Sequence, residues 1–292
     1  MQEIIDQFGG YLYQLGYGNK TRQCLCAQAA ALLTYCEATD VTQITQGQIK
    51  DFYEWLYSCP GKRKGSSGLS ESTIAHYVYA LQHFFSWLEQ TEQIGYNPIS
   101  GIKFKQHHKN RREPLSREQV EALFAAARSL QELAVLHLFY SCGLRRSEAT
   151  GLDTRDIHFK QQLLYVREGK GGKRRVIPLT ERVAHDLENY YTNQRCHTKP
   201  LRLSDEPAFM LGSRGMRMSG SSYQTLFKKI MARCADAALP EGITLHHLRH
   251  SIATDLVQGG MSMLYVKDFL GHSSLDTTQV YARAKAAQLK SL

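Results

Sequence analysis

The C-terminal end of the chain carries side chains suited to phosphate chemistry. His246, His247 and Arg249 stand close together, and His272 and a lone tyrosine, Tyr281, follow them. An arginine fork can bind two phosphate oxygens at once, an imidazole can move a proton near neutral pH, and a phenol oxygen can act as a nucleophile. Together these groups could hold and attack a phosphodiester.

The charge of the chain favours a nucleic acid as partner. The 292 residues carry a formal net charge of +9, which suits a polyanion. The basic residues gather in segments 62–64, 103–112 and 170–175, beside glycine, histidine or serine, where bare positive charge can meet phosphates directly. The predicted DNA contacts are Lys62, Arg63, Lys64, Lys103, Lys105, Arg111, Arg112 and Lys173.

The first hundred residues have the apolar spacing of helices. Apolar side chains recur at helical intervals in stretches 25–36, 49–56 and 74–88, which predicts three or four amphipathic helices in a small bundle over residues 1–100. A basic loop at 60–68 interrupts the bundle, either as a DNA contact or as a solvated loop. Ser70 and Ser72 are candidate caps for the helix that follows it.

A basic linker follows the bundle. The Asn-Pro pair at 97–98 ends the last helix, because proline disfavours helical backbone in the residue before it. Residues 101–113 are rich in lysine, arginine and histidine and mark a domain boundary. They form either a strap that wraps around a duplex or a solvent-exposed tether.

The second domain, 114–292, is predicted to be helical with one hairpin. Ser116 opens a capping-box pattern, a largely apolar helix covers 133–141, and a turn at Gly143 leads into a further helix. Two β-like runs flank the glycine-rich segment 168–173 and predict a hairpin with a basic tip. Further helices are expected over 221–238, 246–258, 261–270 and from 277 onward. The predicted fold class is mainly α with a small β-sheet, α+β.

Other features exclude several classes of protein. No stretch approaches the roughly 18 apolar residues of a membrane span, and the N-terminal residues lack the pattern of a signal peptide. We therefore expect a cytoplasmic protein. Seven cysteines are scattered without a C-x-x-C pair, which predicts reduced, mostly packed thiols and no zinc site.

Four motifs resemble those of the tyrosine recombinase (integrase) family, most nearly its Xer-like and phage or transposon integrase members. Residues 143–148 resemble the family's first arginine box, and 168–173 its lysine-bearing β-hairpin. Residues 245–250 are similar to its H-x-x-R box, and 270–281 to the segment with its final histidine and nucleophilic tyrosine. The resemblance covers most of 115–285 in order, and implies a SAM-like DNA-clamping bundle joined by the linker to a catalytic domain.

The resemblance implies a role for each matching residue. Arg145 and Arg249 would stabilise the charge that develops on the phosphate, a task suited to planar guanidinium groups. Tyr281 would be the nucleophile, His246 the general base that takes its proton, and His272 a hydrogen-bond donor to the phosphate.

Further residues are expected to protonate the leaving group and to support the arginines. A deoxyribose 5′ oxygen departs poorly unless it is protonated, and the resemblance implies that Lys170 supplies this proton. Lys173 in the same hairpin is its rival. Glu148 is expected to support an arginine, Arg146 has no assigned role, and Thr244 is a candidate cap for the helix that carries His246.

These roles imply a site-specific recombinase that cuts DNA through a 3′-phosphotyrosine link. The freed 5′ hydroxyl would then attack the partner duplex, in integration, excision, inversion or resolution. No metal, ATP or other cofactor is expected. The expected partners are double-stranded recombination sites, a homotetramer on DNA, and a partner recombinase or accessory proteins, all at the prokaryotic nucleoid.

Two alternatives stay open at this point. A type IB topoisomerase-like enzyme shares the phosphotyrosine chemistry but reseals the same strand, and the Xer-like motifs argue against it. A catalytically silent DNA-binding accessory protein is disfavoured because every catalytic position of the motifs is filled.

Overall fold

The chain divides into two compact units, Met1–Arg111 and Arg112–Leu292. Each unit has its own hydrophobic core. A computed structural model describes residues 1–59, 68–105, 113–167, 174–234 and 239–271.

The described part of the first unit consists mainly of four α-helices. Apolar side chains at helical spacing meet in its core, where Phe8, Phe52 and Phe84 are fully buried. The predicted helical bundle is confirmed. Its helices are α1 (Gln2–Gln14), α2 (Asn19–Tyr35), α3 (Gln46–Ser58) and α4 (Glu71–Gln90).

Side-chain caps explain where two of these helices begin. Thr45 and Gln48 form a capping box at the start of α3, so two backbone donors that the helix leaves open are satisfied. Of the two serines considered as caps for α4, Ser70 takes the position, and its hydroxyl accepts the Thr73 N–H at 3.2 Å.

The described start of the basic linker contacts the first unit. Ile102 and Phe104 pack against its core. The Lys105 N–H donates to the Tyr53 hydroxyl at 3.3 Å, and its ammonium lies 3.5 Å from a Glu71 carboxylate oxygen. Residues 101–105 are therefore tied to the bundle by these contacts.

The second unit combines helices with a small sheet. Its predicted α+β class is confirmed. The helices are α5 (Arg117–Ala125), α6 (Leu130–Leu136), α7 (Arg146–Thr150), α8 (Glu181–Tyr190), α9 (Gly220–Met231), α10 (Leu245–Gln258) and α11 (Met263–Leu270). The strands are β1 (Ile157–His158), β2 (Leu163–Val166) and β3 (Arg175–Pro178).

The sheet contains the predicted hairpin. Strands β2 and β3 pair antiparallel, with Leu164 opposite Ile177, and β1 pairs with the other edge of β2. The predicted basic tip, 168–173, lies outside the described residues. Strand β1 was not predicted, because two residues are too few for an alternating pattern.

The apolar helix predicted over 133–141 is confirmed, but its second half is a π-helix. Helix α6 continues into a π-helical turn, His137–Ser141, whose Leu138 and Phe139 are buried in the core. The buried His137 ring bonds Asp186 at 2.9 Å and Ser141 at 3.0 Å. Burial lowers the pKa of His137 despite the carboxylate beside it. The buried ring and its two hydrogen bonds give His137 a structural role in the core.

Helix α8 was not predicted, although its sequence carried the signal. Thr180 caps the helix by accepting a hydrogen bond from the Val183 N–H. The side chains of Val183, Leu187 and Tyr190 form its apolar face and are buried in the core. These residues recur at helical spacing after a capping threonine.

All seven cysteines are free thiols in the structure. Cys142 and Cys234 are buried, while Cys24 and Cys196 are exposed and the other three are half-buried. Among the described helices, none is long and apolar enough to cross a membrane.

Candidate active site

Arg145 and Glu148 form the first half of a tight ionic cluster. Arg145 is the N-cap of α7 and Glu148 lies in its first turn, a spacing that returns the carboxylate to the helix start. One Glu148 oxygen accepts the Arg145 backbone N–H at 2.8 Å, and the other accepts its Nη1 at 2.7 Å. The Glu148 side chain is only 1% exposed, so Arg145 is fixed by a buried carboxylate.

Two further arginines reach the same carboxylate. Arg175 of β3 donates from Nη1 and Nη2 to the two Glu148 oxygens at 2.9 and 2.8 Å, the fork geometry that makes such pairs strong. Nη1 of Arg249 on α10 lies 3.8 Å from Glu148 Oε2. We call Arg145, Arg175, Arg249 and Glu148 the arginine cluster. With three guanidinium groups and one carboxylate, the arginine cluster has a net positive charge.

Glu148 stays ionised in this setting. Burial by itself would raise the pKa of Glu148, but the hydrogen bonds and charge of Arg175, together with the Arg145 backbone and side chain, outweigh burial and lower the pKa to about 2. A carboxylate with such a pKa is charged at every pH near neutrality.

The arginine cluster also binds the C-terminal end of α11. A helix leaves its last carbonyls without partners inside the helix, and cations are favourable beside them. Gly271, with φ of +65°, ends α11 in the left-handed conformation. The three contacts are Arg175 Nε with Phe269 O at 2.9 Å, Arg249 Nη2 with Leu270 O at 2.5 Å, and Arg145 Nη2 with Gly271 O at 2.8 Å.

Gly143 brings the turn before α7 into this assembly. Its φ of +57° lies in the left-handed region that favours glycine. A Cβ atom there would stand 2.7 Å from the Leu270 side chain. The Gly143 carbonyl accepts a hydrogen bond from Arg249, which is only 3% exposed. Glycine is thus required both by the backbone and by the close packing.

His246 lies at the exposed start of α10, after the N-cap residue Thr244. The neighbouring His247 turns back, and its Nδ1 accepts the Thr244 backbone N–H at 3.0 Å. This gives His247 a structural task. A cleft of about 550 Å³ has both Arg145 and His246 in its wall, so the structure brings these two predicted residues to one surface.

The remaining predicted residues are distributed as follows. Lys103 and Lys105 are exposed on the first unit. The predicted residues outside the described part of the chain are Lys62, Arg63, Lys64, Arg111, Arg112, Lys170, Lys173, His272 and Tyr281.

Arg175 is the member of the arginine cluster that sequence reasoning missed as a site residue. Its side chain is 8% exposed. It shares one face of β3 with Ile177, which is fully buried. Because alternate strand residues face the same side, an arginine two positions before a core isoleucine indicated a buried ion pair.

The family assignment rests on the second unit. The model of the phage integrase family matches residues 113–288, more than half of the chain and the whole region of the four motifs. The chain belongs to the phage integrase family. It is a site-specific tyrosine recombinase, an enzyme that cleaves and rejoins DNA. Neither the topoisomerase-like nor the silent accessory alternative is favoured.

Similar proteins match the chain over nearly its full length. The tyrosine recombinase XerC of Mycobacterium leprae is 29% identical, with 98% of this chain and 96% of the relative covered. The tyrosine recombinase of Thermosipho africanus is also 29% identical, with 96% and 95% covered. The recombinase match therefore includes the helical first unit.

Solved structures of integrases share the fold. The Tn1549 transposon integrase in complex with transposon right end DNA has a TM-score of 0.76 at 20% identity, covering 98% of this chain and 99% of that one. A lambda integrase dimer bound to a COC′ core site has a TM-score of 0.70 at 18% identity, covering 96% and 94%.

Proposed function

We propose that the arginine cluster binds the DNA phosphate at which this recombinase cuts, with Arg145 and Arg249 on its non-bridging oxygens. The observation that carries the proposal is the shared carboxylate: Glu148 holds Arg145 directly and has Arg249 3.8 Å away. His246 lines the same cleft as Arg145. A positive, pre-arranged surface of this kind stabilises charge that grows on a phosphate during attack.

Arg145 retains donors for such a phosphate. A guanidinium group has five N–H donors. Toward the described residues, the Arg145 side chain uses one donor for Glu148 and one for the Gly271 carbonyl. These two contacts fix the plane of the group, and further N–H groups stay available to phosphate oxygens.

The proposed chemistry assigns the remaining motif residues. Tyr281 attacks the phosphate and forms a 3′-phosphotyrosine bond, while the bond to the 5′ oxygen breaks. A tyrosine with a pKa near 10 is about 0.1% ionised at pH 7, a deficit of roughly 4 kcal/mol. His246 as general base and the positive arginine cluster reduce this deficit, His272 bonds the phosphate, and Lys170 or its rival Lys173 protonates the leaving 5′ oxygen.

The proposed substrate is double-stranded DNA with two recombination sites. The Tn1549 and lambda integrase structures were solved with DNA bound. The net charge of +9 and the basic segments of this chain support the same class of partner. Exchange between two duplexes requires four strand cuts, so we propose a homotetramer on DNA, with accessory proteins as further partners.

A nicked suicide duplex tests the nucleophile. Duplexes tiled from the DNA next to the gene are incubated with the full chain, and denaturing electrophoresis detects the covalent protein–DNA complex. We expect a complex with the natural chain and none with Tyr281→Phe. The matched control is Tyr265→Phe, an exposed tyrosine of α11, which should react normally.

A complex that persists in Tyr281→Phe, or that never forms with the natural chain, contradicts the mechanism. Comparison of supercoiled DNA with a two-site substrate separates the two reactions of this chemistry. Recombination of the two-site substrate is expected, and relaxation without recombination would favour the topoisomerase-like alternative.

A further inference from the structure

The cleft beside Arg145 and His246 extends beyond the groups assigned to the cut phosphate. Gln224 and Lys228 of α9 line it, and Arg146 adds a further cation. Among the described lining residues there is no aspartate or glutamate. The charged side chains among these lining residues are therefore all basic.

The two additional cations lack the carboxylate partners common in this unit. Arg217, for example, lies 2.6 Å from Asp153. Neither Arg146 nor Lys228 forms an ion pair with any residue that the structure describes, and both are exposed. Their charge is thus available to an anion from outside.

The position of Arg146 is better explained by binding than by folding. Its side chain lies against Gly220, the first residue of α9, where a cation is unfavourable because the helix start is itself positive. A Cβ atom on Gly220 would stand 2.9 Å from Arg146 Cδ and 3.1 Å from its Nε. The glycine leaves room for the arginine to lie across the helix start.

Helix α9 also contacts the residue next to His246. Gly220, Gln224 and Lys228 follow at intervals of four and share one helix face. The Gln224 side-chain oxygen accepts the backbone N–H of Leu245 at 3.3 Å. Leu245 is the first residue of α10 and precedes His246, so the face of α9 that carries Lys228 is hydrogen-bonded to the residue next to His246.

We propose that Arg146 and Lys228 form a second phosphate subsite, which binds a phosphate flanking the one that is cut on the same DNA strand. The proposal rests on the proposed function, because DNA bound at Arg145 brings neighbouring phosphates with it, one per ~3.4 Å of axis along each strand. The subsite holds the strand in register while Tyr281 attacks.

The salt dependence of DNA binding tests the subsite. A fluorescein-labelled duplex of mixed sequence is titrated with the full chain carrying Tyr281→Phe, between about 50 and 200 mM salt. The slope of log K against log salt is negative, and each lost phosphate contact reduces its magnitude by ~0.9. Arg146→Ala and Lys228→Ala are each expected to lose that amount.

Lys229→Ala is the matched control, because Lys229 is the exposed next residue of α9 but does not line the cleft. It should keep the parent slope. Gly220→Ala displaces Arg146 without changing the net charge, and alanine favours a helix, so it should fold and lose the same slope as Arg146→Ala.

The proposal is overturned if either Arg146→Ala or Lys228→Ala keeps the parent slope, or if Lys229→Ala loses as much as they do. Thermal melting by circular dichroism checks that each variant is folded. Because binding is measured without the nucleophile, this result is independent of the covalent trapping that tests the proposed function.

Discussion

Glu148→Gln should reveal how much the arginine cluster depends on one buried charge. The substitution keeps the shape of the side chain but removes its charge, and it turns an NH₂ group toward guanidinium donors. Arg145 and Arg175 would each lose an acceptor. The expected result is a less stable second unit and a poorly held Arg145.

The pKa of Glu148 sets the magnitude. The folded pKa of about 2 lies below the ordinary value of 4.5, so the charged form stabilises the fold above pH 4.5, and this contribution is lost as the pH falls toward 2. At 1.36 kcal/mol per pKa unit the contribution is about 3 kcal/mol at pH 7 and about 1 kcal/mol at pH 3. Removal of one partner of a buried ion pair typically costs ~3–5 kcal/mol.

Urea unfolding of the full chain measures this contribution. Far-ultraviolet circular dichroism follows both units. The two tryptophans of the sequence, Trp55 and Trp87, lie in the first unit, so their fluorescence follows that unit separately. Glu121→Gln is the matched control, because Glu121 forms an exposed pair with Arg117 and its loss should cost less than about 0.5 kcal/mol.

The expected result is a deficit of about 3 kcal/mol in the free energy of unfolding for Glu148→Gln at pH 7, falling by more than half at pH 3. A deficit that matches the Glu121→Gln control, or that is the same at pH 7 and pH 3, would refute the reasoning. Either outcome would mean that the charge of Glu148 does not stabilise the fold.

Two further predictions concern neighbours of Glu148. Gly143 and Gly242 both have a positive φ, so an alanine at either position strains the backbone. In Gly143→Ala the new Cβ would also clash with Leu270, whereas in Gly242→Ala it would have no neighbouring atom within 4 Å. Urea unfolding should show a cost of ~1–2 kcal/mol for Gly242→Ala and a larger one for Gly143→Ala, and equal costs would count against the packing of Gly143 on α11. Arg175→Lys loses the bidentate contact with the Glu148 carboxylate and should slow covalent trapping at least ~10-fold. The control Arg174→Lys changes the exposed neighbouring residue and should leave the rate unchanged. A normal rate in Arg175→Lys would show that Arg145 is positioned without Arg175.

The sequence predicted those parts of the fold that depend on near neighbours. The capping box of Ser116, the cap of Ser70 and the β2–β3 hairpin are each specified within a few residues. Apolar spacing marks a helix in the same way, because one face must be buried every three to four residues. Short or weakly patterned elements, such as β1, lacked enough residues to be recognised.

The candidate site was predicted only in part. Motif order identified Arg145, His246 and Arg249, and the expectation that Glu148 supports an arginine agrees with its contacts. The roles of Arg145, His246 and Arg249 stay predictions. So do the roles of Tyr281, His272 and Lys170, which lie outside the described part of the chain.

The sequence by itself determined the charge, most of the helices and the residue types that can act on a phosphate. Only the tertiary structure decided that one carboxylate, Glu148, serves arginines from α7, β3 and α10, and that the same arginines bind the last carbonyls of α11. The physical reason is that local patterns specify how each segment folds. Which distant segments share a buried charge depends on how their apolar faces pack, because only that packing removes the water that would otherwise weaken the ion pairs.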